Sequence, residues 1–197
     1  MTPHRATLAA APALVLALAL SACGGQPTSG ATPAPTVSTT APPKASPTPG
    51  DGTFPTPENA ETTDVDSVAE TTAKIANSYD TTTDTTETAA LLRAKPLMTT
   101  KYAETLAEPQ RNGNQAEWLV PAEHDAYSSP SLQPAASDVT AHDYGPNRAA
   151  RAYTVTWKWQ GRDGEILDSN TRRNVVVYLE KHAGRWQVVG YTTEDLG

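Results

Sequence analysis

The stretch from Tyr153 to Tyr191 constrains the fold more than any other part of the chain. Tyr153, Val155, Trp157 and Trp159 alternate with Thr154, Thr156 and Lys158, the period-two pattern of a half-buried strand. Gly161-Arg162-Asp163-Gly164 supplies turn residues. A long strand follows from Thr171 to Lys181, with Val175, Val177 and Leu179 on one face. His182-Ala183-Gly184 turns the chain again, and Trp186, Val188 and Gly190 run back on the apolar phase. Three strands joined by short turns form an antiparallel meander. The segment from His124 to Ala136 predicts a weaker strand, and Pro130 and Pro134 confine it to an edge.

Helical signals come earlier in the chain. Val65, Val68, Thr72, Ile75, Ala76 and Tyr79 recur at spacings of three and four, which puts one buried stripe on a helix. Asp64, or Thr63 with Asp66, can cap its first amides. Residues 80–86 are all Asp and Thr and predict a loop, because those side chains compete for backbone hydrogen bonds. Two short helices are expected next, from Thr88 to Lys95 and from Thr99 or Thr100, followed by a polar loop from Gln110 to Gln115. Helices first and a meander afterwards give an α+β class.

The stretch "AALLRAKPLMTTKYAETL", the later Trp118 and the closing "RWQVVGY" resemble NTF2-like domains exported by high-GC Gram-positive bacteria. Such domains occur in small lipoproteins, in Mce-associated proteins and in conjugation-apparatus subunits. The resemblance covers about residues 60–197 and implies a cone: amino-terminal helices packed on a bent antiparallel sheet. These are packing motifs, and the fold hosts enzymes, ligand binders and assembly modules alike.

The amino end addresses location. Met1–Arg5 is basic, residues 6–19 are apolar and too few for a bilayer span, and Leu20-Ser21-Ala22-Cys23 follows. This order is that of a secretory signal, and "LSAC" resembles the lipobox of bacterial lipoproteins. The resemblance implies removal of residues 1–22 and a diacylglyceryl thioether on Cys23, the only cysteine. Two acyl chains give durable attachment to a membrane. Residues 24–57 hold nine Pro, eight Thr, five Gly, four Ala and three Ser, with Val37 and Phe54 the only large apolar side chains. Such a segment buries too little surface to offset its ordering entropy, so residues 23–57 read as an anchored, disordered tether and 58–197 as the folded domain.

No catalytic motif is present. His124 and Asp125 are neighbours, so on a strand they point to opposite faces and cannot act together. The cone implied by the resemblance makes Tyr102, Trp118, His124 and Tyr127 the candidate pocket lining. No His, Cys, Asp or Glu spacing matches a metal site, and no cofactor is expected. The formal charge of −7 disfavours nucleic acid as a partner. The charge is uneven: residues 58–146 contain 15 acidic and 5 basic side chains, and 147–197 contain 6 and 8. Either both halves are simply solvated, or the mildly basic sheet meets an acidic partner or an anionic envelope polymer.

Two readings follow. One is a non-catalytic binding or assembly module on the cell envelope, docking another protein or a second copy of itself. The other is a small-ligand binder or enzyme using the cone. The last strands sharpen the first reading, because Val176 and Tyr178 form a second apolar stripe, continued by Val189 and Tyr191. A sheet with one wet face alternates cleanly. These four residues are therefore the expected exposed interface, unless the 129–138 segment covers them.

Overall fold

The computed structural model of the protein describes residues 48–109, 111, 113, 115–136 and 141–196. Cys23, the signal and most of the expected tether lie outside the described residues. The architecture is α+β, with amino-terminal helices packed on one face of a bent antiparallel sheet, as the cone resemblance implies.

Helix α1 (Val65–Ala76) begins where the Asp64 carboxylate accepts the amide of Asp66. Its expected stripe is the buried face: Val68, Thr72, Ile75 and Ala76 are buried, and Tyr79 follows them into the core. Helix α2 (Glu87–Leu92) and a 3-10 turn at Lys95–Leu97 replace the single second helix expected. Helix α3 (Thr100–Thr105) is capped by the Thr99 hydroxyl, which accepts from the amide of Tyr102.

Helix α4 (Gln115–Glu123) was not expected, and its composition explains why. It carries Pro121 internally, and it is not amphipathic: Trp118 is buried while Leu119 and Val120 face solvent. Helical period alone does not reveal such a helix.

The sheet comprises β1 (Tyr127–Pro134), β2 (His142–Asp143), β3 (Arg148–Gln160), β4 (Ile166–His182) and β5 (Arg185–Asp195). Its order is β1-β3-β4-β5, every pair antiparallel, with β2 also on β3. Val155, Trp157, Trp159, Val175, Val177, Leu179 and Val188 are buried on the helix side, as their phasing requires. β1 is an edge strand, so it pairs in the sheet and does not cover its outer face. Ala183 and Gly184 both have positive φ, 49° and 83°, the backbone of a two-residue hairpin turn matched to strand twist.

Two irregularities shape the sheet. Thr156 pairs with Arg172, but Lys158 pairs with Asp168, so β4 carries two extra residues and bends there. In β5, Gly190 pairs with Tyr178 and Val188 with Leu179, which leaves Val189 as a bulge. The bulge reverses the expected phase beyond Val188. Gly190 moves to the outer face, where the Tyr178 ring packs over it, and Tyr191 pairs with Val177 and turns inward.

The packed chain also starts before Glu58. Gly50 is buried and donates its amide to Asp80 Oδ2 at 2.8 Å. Phe54 meets Tyr127 edge-on with ring centroids 6.0 Å apart, and the Arg93 guanidinium lies over its face. Residues 48–57 thus form a strap on the domain. Composition cannot reveal this, because only Gly50, Asp51 and Phe54 make these contacts, with partners distant in sequence. A chain beginning at Glu58 is expected to melt below one beginning at Thr48, by about 2–4 °C for each kcal/mol lost; equal melting temperatures would show that the strap contributes nothing.

Candidate functional site

The interior of the cone is filled by its own aromatic side chains. Tyr79 lies 5.5 Å from Trp118, 5.8 Å from Trp157 and 6.2 Å from Trp159, and Trp118 meets Trp159 at 5.7 Å. All four residues are buried. The indole nitrogens of Trp157 and Trp159 have no hydrogen-bond partner. Two of these ring pairs are T-shaped, the geometry in which an aromatic face receives a polarised N–H or C–H edge.

One polar chain crosses this interior. Arg173, 3% exposed, donates to the Tyr79 hydroxyl at 2.9 Å; Tyr79 in turn donates to Asn77 Oδ1 at 3.0 Å. Asn77 Nδ2 donates onward to the Tyr191 hydroxyl at 2.9 Å and to the Ala73 carbonyl. Arg173 is neutralised by Glu87 at 3.2 Å and Asp195 at 2.8 Å, and its guanidinium stacks over Trp157. Burial first, and then the nearby Glu87, push the Tyr79 phenol well above its ordinary pKa. Burial likewise raises Tyr191. Both hydroxyls stay protonated at neutral pH, so neither supplies a base or nucleophile. A cavity beside Glu87, Arg173 and Tyr191 measures about 210 Å³, below the ~300–1,000 Å³ of small-molecule sites.

The four residues proposed from sequence as a pocket lining do not converge. Trp118 is part of the filled core. Tyr102 is half-buried against the β5 edge, where Thr99 donates its amide to the Val188 carbonyl at 3.0 Å. Tyr127 lies under the Arg162 guanidinium at the strap. His124 is at the surface, its Nδ1 2.6 Å from Asp163 Oδ2 in the β3–β4 turn. That hydrogen bond is the main reason His124 titrates above its ordinary 6.5, and it lowers Asp163 in return. Glu165 and Glu123 add to the rise at His124.

The expected interface is also redrawn. Val176 and Tyr178 stay together on the outer face, half-buried. Tyr191 leaves the set because the bulge at Val189 turns it inward, onto Asn77. Val189 lines a groove of about 410 Å³ with Tyr102, Glu180 and His182. Sequence reading missed Arg173 and Asn77, two of the buried polar residues and the ones that link Tyr79 to Tyr191. The one signal for Arg173 was its place on the apolar phase of β4, in register with Val175 and Val177.

Charges are distributed differently from the sequence halves. Several basic side chains of the sheet meet acids: Arg148 with Glu180, Arg151 with Asp66 and Asp143, Lys158 with Asp168, and Arg162 with Asp51 and Asp80. Arg172 and Arg185 are exposed, and Lys181 lies over the Trp186 ring. Asp80 is fully buried, and burial alone would raise its carboxyl. Hydrogen bonds from Arg162, from the Thr82 hydroxyl and amide, and from the Gly50 amide outweigh that and hold it below the usual range. Among the described residues, no group of three His, Cys, Asp or Glu is arranged to hold a metal.

No protein-family model and no curated protein matches the chain. One solved structure, a candidate aromatic ring hydroxylase from Novosphingobium aromaticivorans, is similar with a TM-score of 0.31 and 16% identity, over 56% of this chain and 76% of that one.

Two pH effects follow. A depressed Asp80 stabilises the fold above the ordinary carboxylate value of 3.8, and that contribution is lost as pH falls through its lower folded value. Acid unfolding of Asp80→Asn should therefore be shallower than that of the wild type, from a lower starting stability. A raised His124 contributes below 6.5 and loses that contribution as pH rises through its folded value. Imidazole titration by NMR should give a midpoint above 6.5 that returns toward it in Asp163→Asn; an unchanged midpoint would show that the pair does not form in solution.

Proposed function

We propose that this protein is a membrane-anchored lipoprotein of the cell envelope whose NTF2-like domain is a non-catalytic protein-binding or assembly module. The observation that carries the reading is the filled cone. Tyr79, Trp118, Trp157 and Trp159 occupy the space that a ligand would need, and the one interior cation is already neutralised by Glu87 and Asp195. Apolar side chains are displayed outside instead: Leu119, Val120 and Ile166 are all more than half exposed. This combination favours docking of a macromolecule over turnover of a small molecule.

The anchor rests on the lipobox-like sequence ending at Cys23. No helix among the described residues is long and apolar enough to cross a membrane. Lipidation of Cys23 would hold the domain at the extracellular face of the cell membrane, where another envelope protein or a second copy is the expected partner. Val176 and Tyr178 are the candidates for self-association.

Cys23→Ser should shift the protein from the membrane fraction to the soluble fraction, or block its processing. Detergent-dependent membrane retention of that variant would overturn the anchoring. Cross-linking on intact cells should trap the wild-type protein in a discrete complex, and the absence of any complex would overturn the module reading. Tyr178→Asp should dissociate a homodimer, read by sedimentation, without lowering the melting temperature by more than a few degrees.

A further inference from the structure

Three of the four large apolar side chains that are strongly exposed among the described residues lie at one end of the domain: Leu119 at 59%, Val120 at 55% and Ile166 at 59%. Val120 and Ile166 line the same groove, of about 420 Å³, together with Pro121 and Leu167. Ile166 also borders a second groove, of about 560 Å³, running across Thr156 and Lys158 toward Ser129 and Ser131. The two grooves share Trp159, Ile166, Asp168 and Ser169, so the first residues of β4 form a ridge between them. Helix α4 is apolar both inward, at Trp118, and outward, at Leu119 and Val120. A surface helix of that kind has a second face to bury.

The surroundings of this ridge are acidic. Glu117, Glu123, Asp125, Asp163, Glu165 and Asp168 belong to α4, its exit and the β3–β4 hairpin. Lys158 balances only Asp168, His124 pairs with Asp163, and Arg162 is turned onto Asp51 and Asp80. Glu123, Asp125 and Glu165 are exposed and make no ion pair among the described residues. A second copy docking here through a two-fold axis would bring acid against acid, which is disfavoured. A partner with apolar side chains bordered by Lys or Arg satisfies both features at once.

Building on the binding-module reading, we infer that the α4 and β3–β4 end of the domain is the docking surface for a basic amphipathic segment of another protein. Apolar side chains of that segment seat on Val120 and Ile166, and its cations meet Glu123, Asp125 and Glu165. Recognition is of the helix-in-groove kind, with apolar anchors giving affinity and the acidic rim giving orientation and rate.

The test uses the full chain with Cys23→Ser, so that no lipid competes, and two labelled synthetic 18-residue amphipathic helices of identical pattern, one of Leu and Lys and one of Leu and Glu. Fluorescence anisotropy should show the Leu/Lys helix binding at least tenfold more tightly than the Leu/Glu helix. Val120→Ser/Ile166→Ser should weaken it at least tenfold, and Glu123→Lys/Glu165→Lys should invert the preference between the two peptides. Val120, Glu123, Glu165 and Ile166 are solvent-exposed, and unchanged melting temperatures confirm that the variants fold. Tyr144→Ser, at the one strongly exposed apolar side chain among the described residues that lies outside this end, should leave affinity within twofold.

Wild-type affinity in both ridge variants, or binding that is lost only in the Tyr144 variant, overturns the placement. Equal binding of the two peptides, or binding of neither, overturns the partner chemistry. The cross-linked complex on intact cells separates these failures from failure of the parent reading. If the complex persists while the ridge variants have no effect, the module reading stands and this inference falls.

Discussion

The buried carboxylate of Asp80 is the constraint around which the domain closes. A charge with no solvent contact is tolerated only when donors surround it. Arg162 supplies a two-pronged contact at 3.2 and 2.8 Å, Thr82 its amide and hydroxyl, and Gly50 its amide at 2.8 Å. These donors come from the β3–β4 turn, the loop after α1 and the strap ahead of the domain. Arg162 also donates to the Asp125 carbonyl and covers Tyr127, which brings in the start of β1. Removing one member of such a buried pair costs about 3–5 kcal/mol, so four separate segments share one electrostatic condition. Asp84 shows the other side of the same physics: burial outweighs its Arg93 partner and lifts its carboxyl above the ordinary value.

The interior follows a different rule from the rim. Arg173 lies in register with Val175 and Val177, so the strand pattern places a cation where apolar residues pack. The fold accommodates it with Glu87, Asp195, the Tyr79 hydroxyl and the Trp157 face. Every polar group in that chain is engaged by a neighbour, which orders the interior.

What the inside uses up, the outside leaves available. Arg151 and Arg162 of the sheet half are engaged by Asp66, Asp143, Asp51 and Asp80, while the exposed acids Glu123, Asp125 and Glu165 gather near α4 and the β3–β4 hairpin. That end also carries the exposed Leu119, Val120 and Ile166. Neither charge counts nor apolar runs along the chain place these features together, because residues 117–125 and 163–168 meet only through sheet pairing and packing.

Local chemistry decided much of the architecture. The period-two phase of Val155, Trp157, Trp159, Val175, Val177 and Leu179, the stripe from Val68 to Tyr79, the Asp64 cap and the Ala183-Gly184 turn were legible in the sequence, because each depends on residues within a few positions of one another. The Pro130 and Pro134 confinement of β1 to an edge was legible for the same reason. The candidate site was much less so. One extra residue at Val189 reverses the faces of Gly190 and Tyr191, and a bulge leaves no mark in an apolar pattern already doubled by Val188 and Val189. Helix α4 was hidden by Pro121 and by apolar residues on both of its sides. The strap was hidden because its hold comes from Asp80, Tyr127 and Arg93, at least 30 residues away. The chain alone set where strands, helices and turns form; only the tertiary structure decided which charges are spent and which faces stay open, because those depend on neighbours that are distant in sequence.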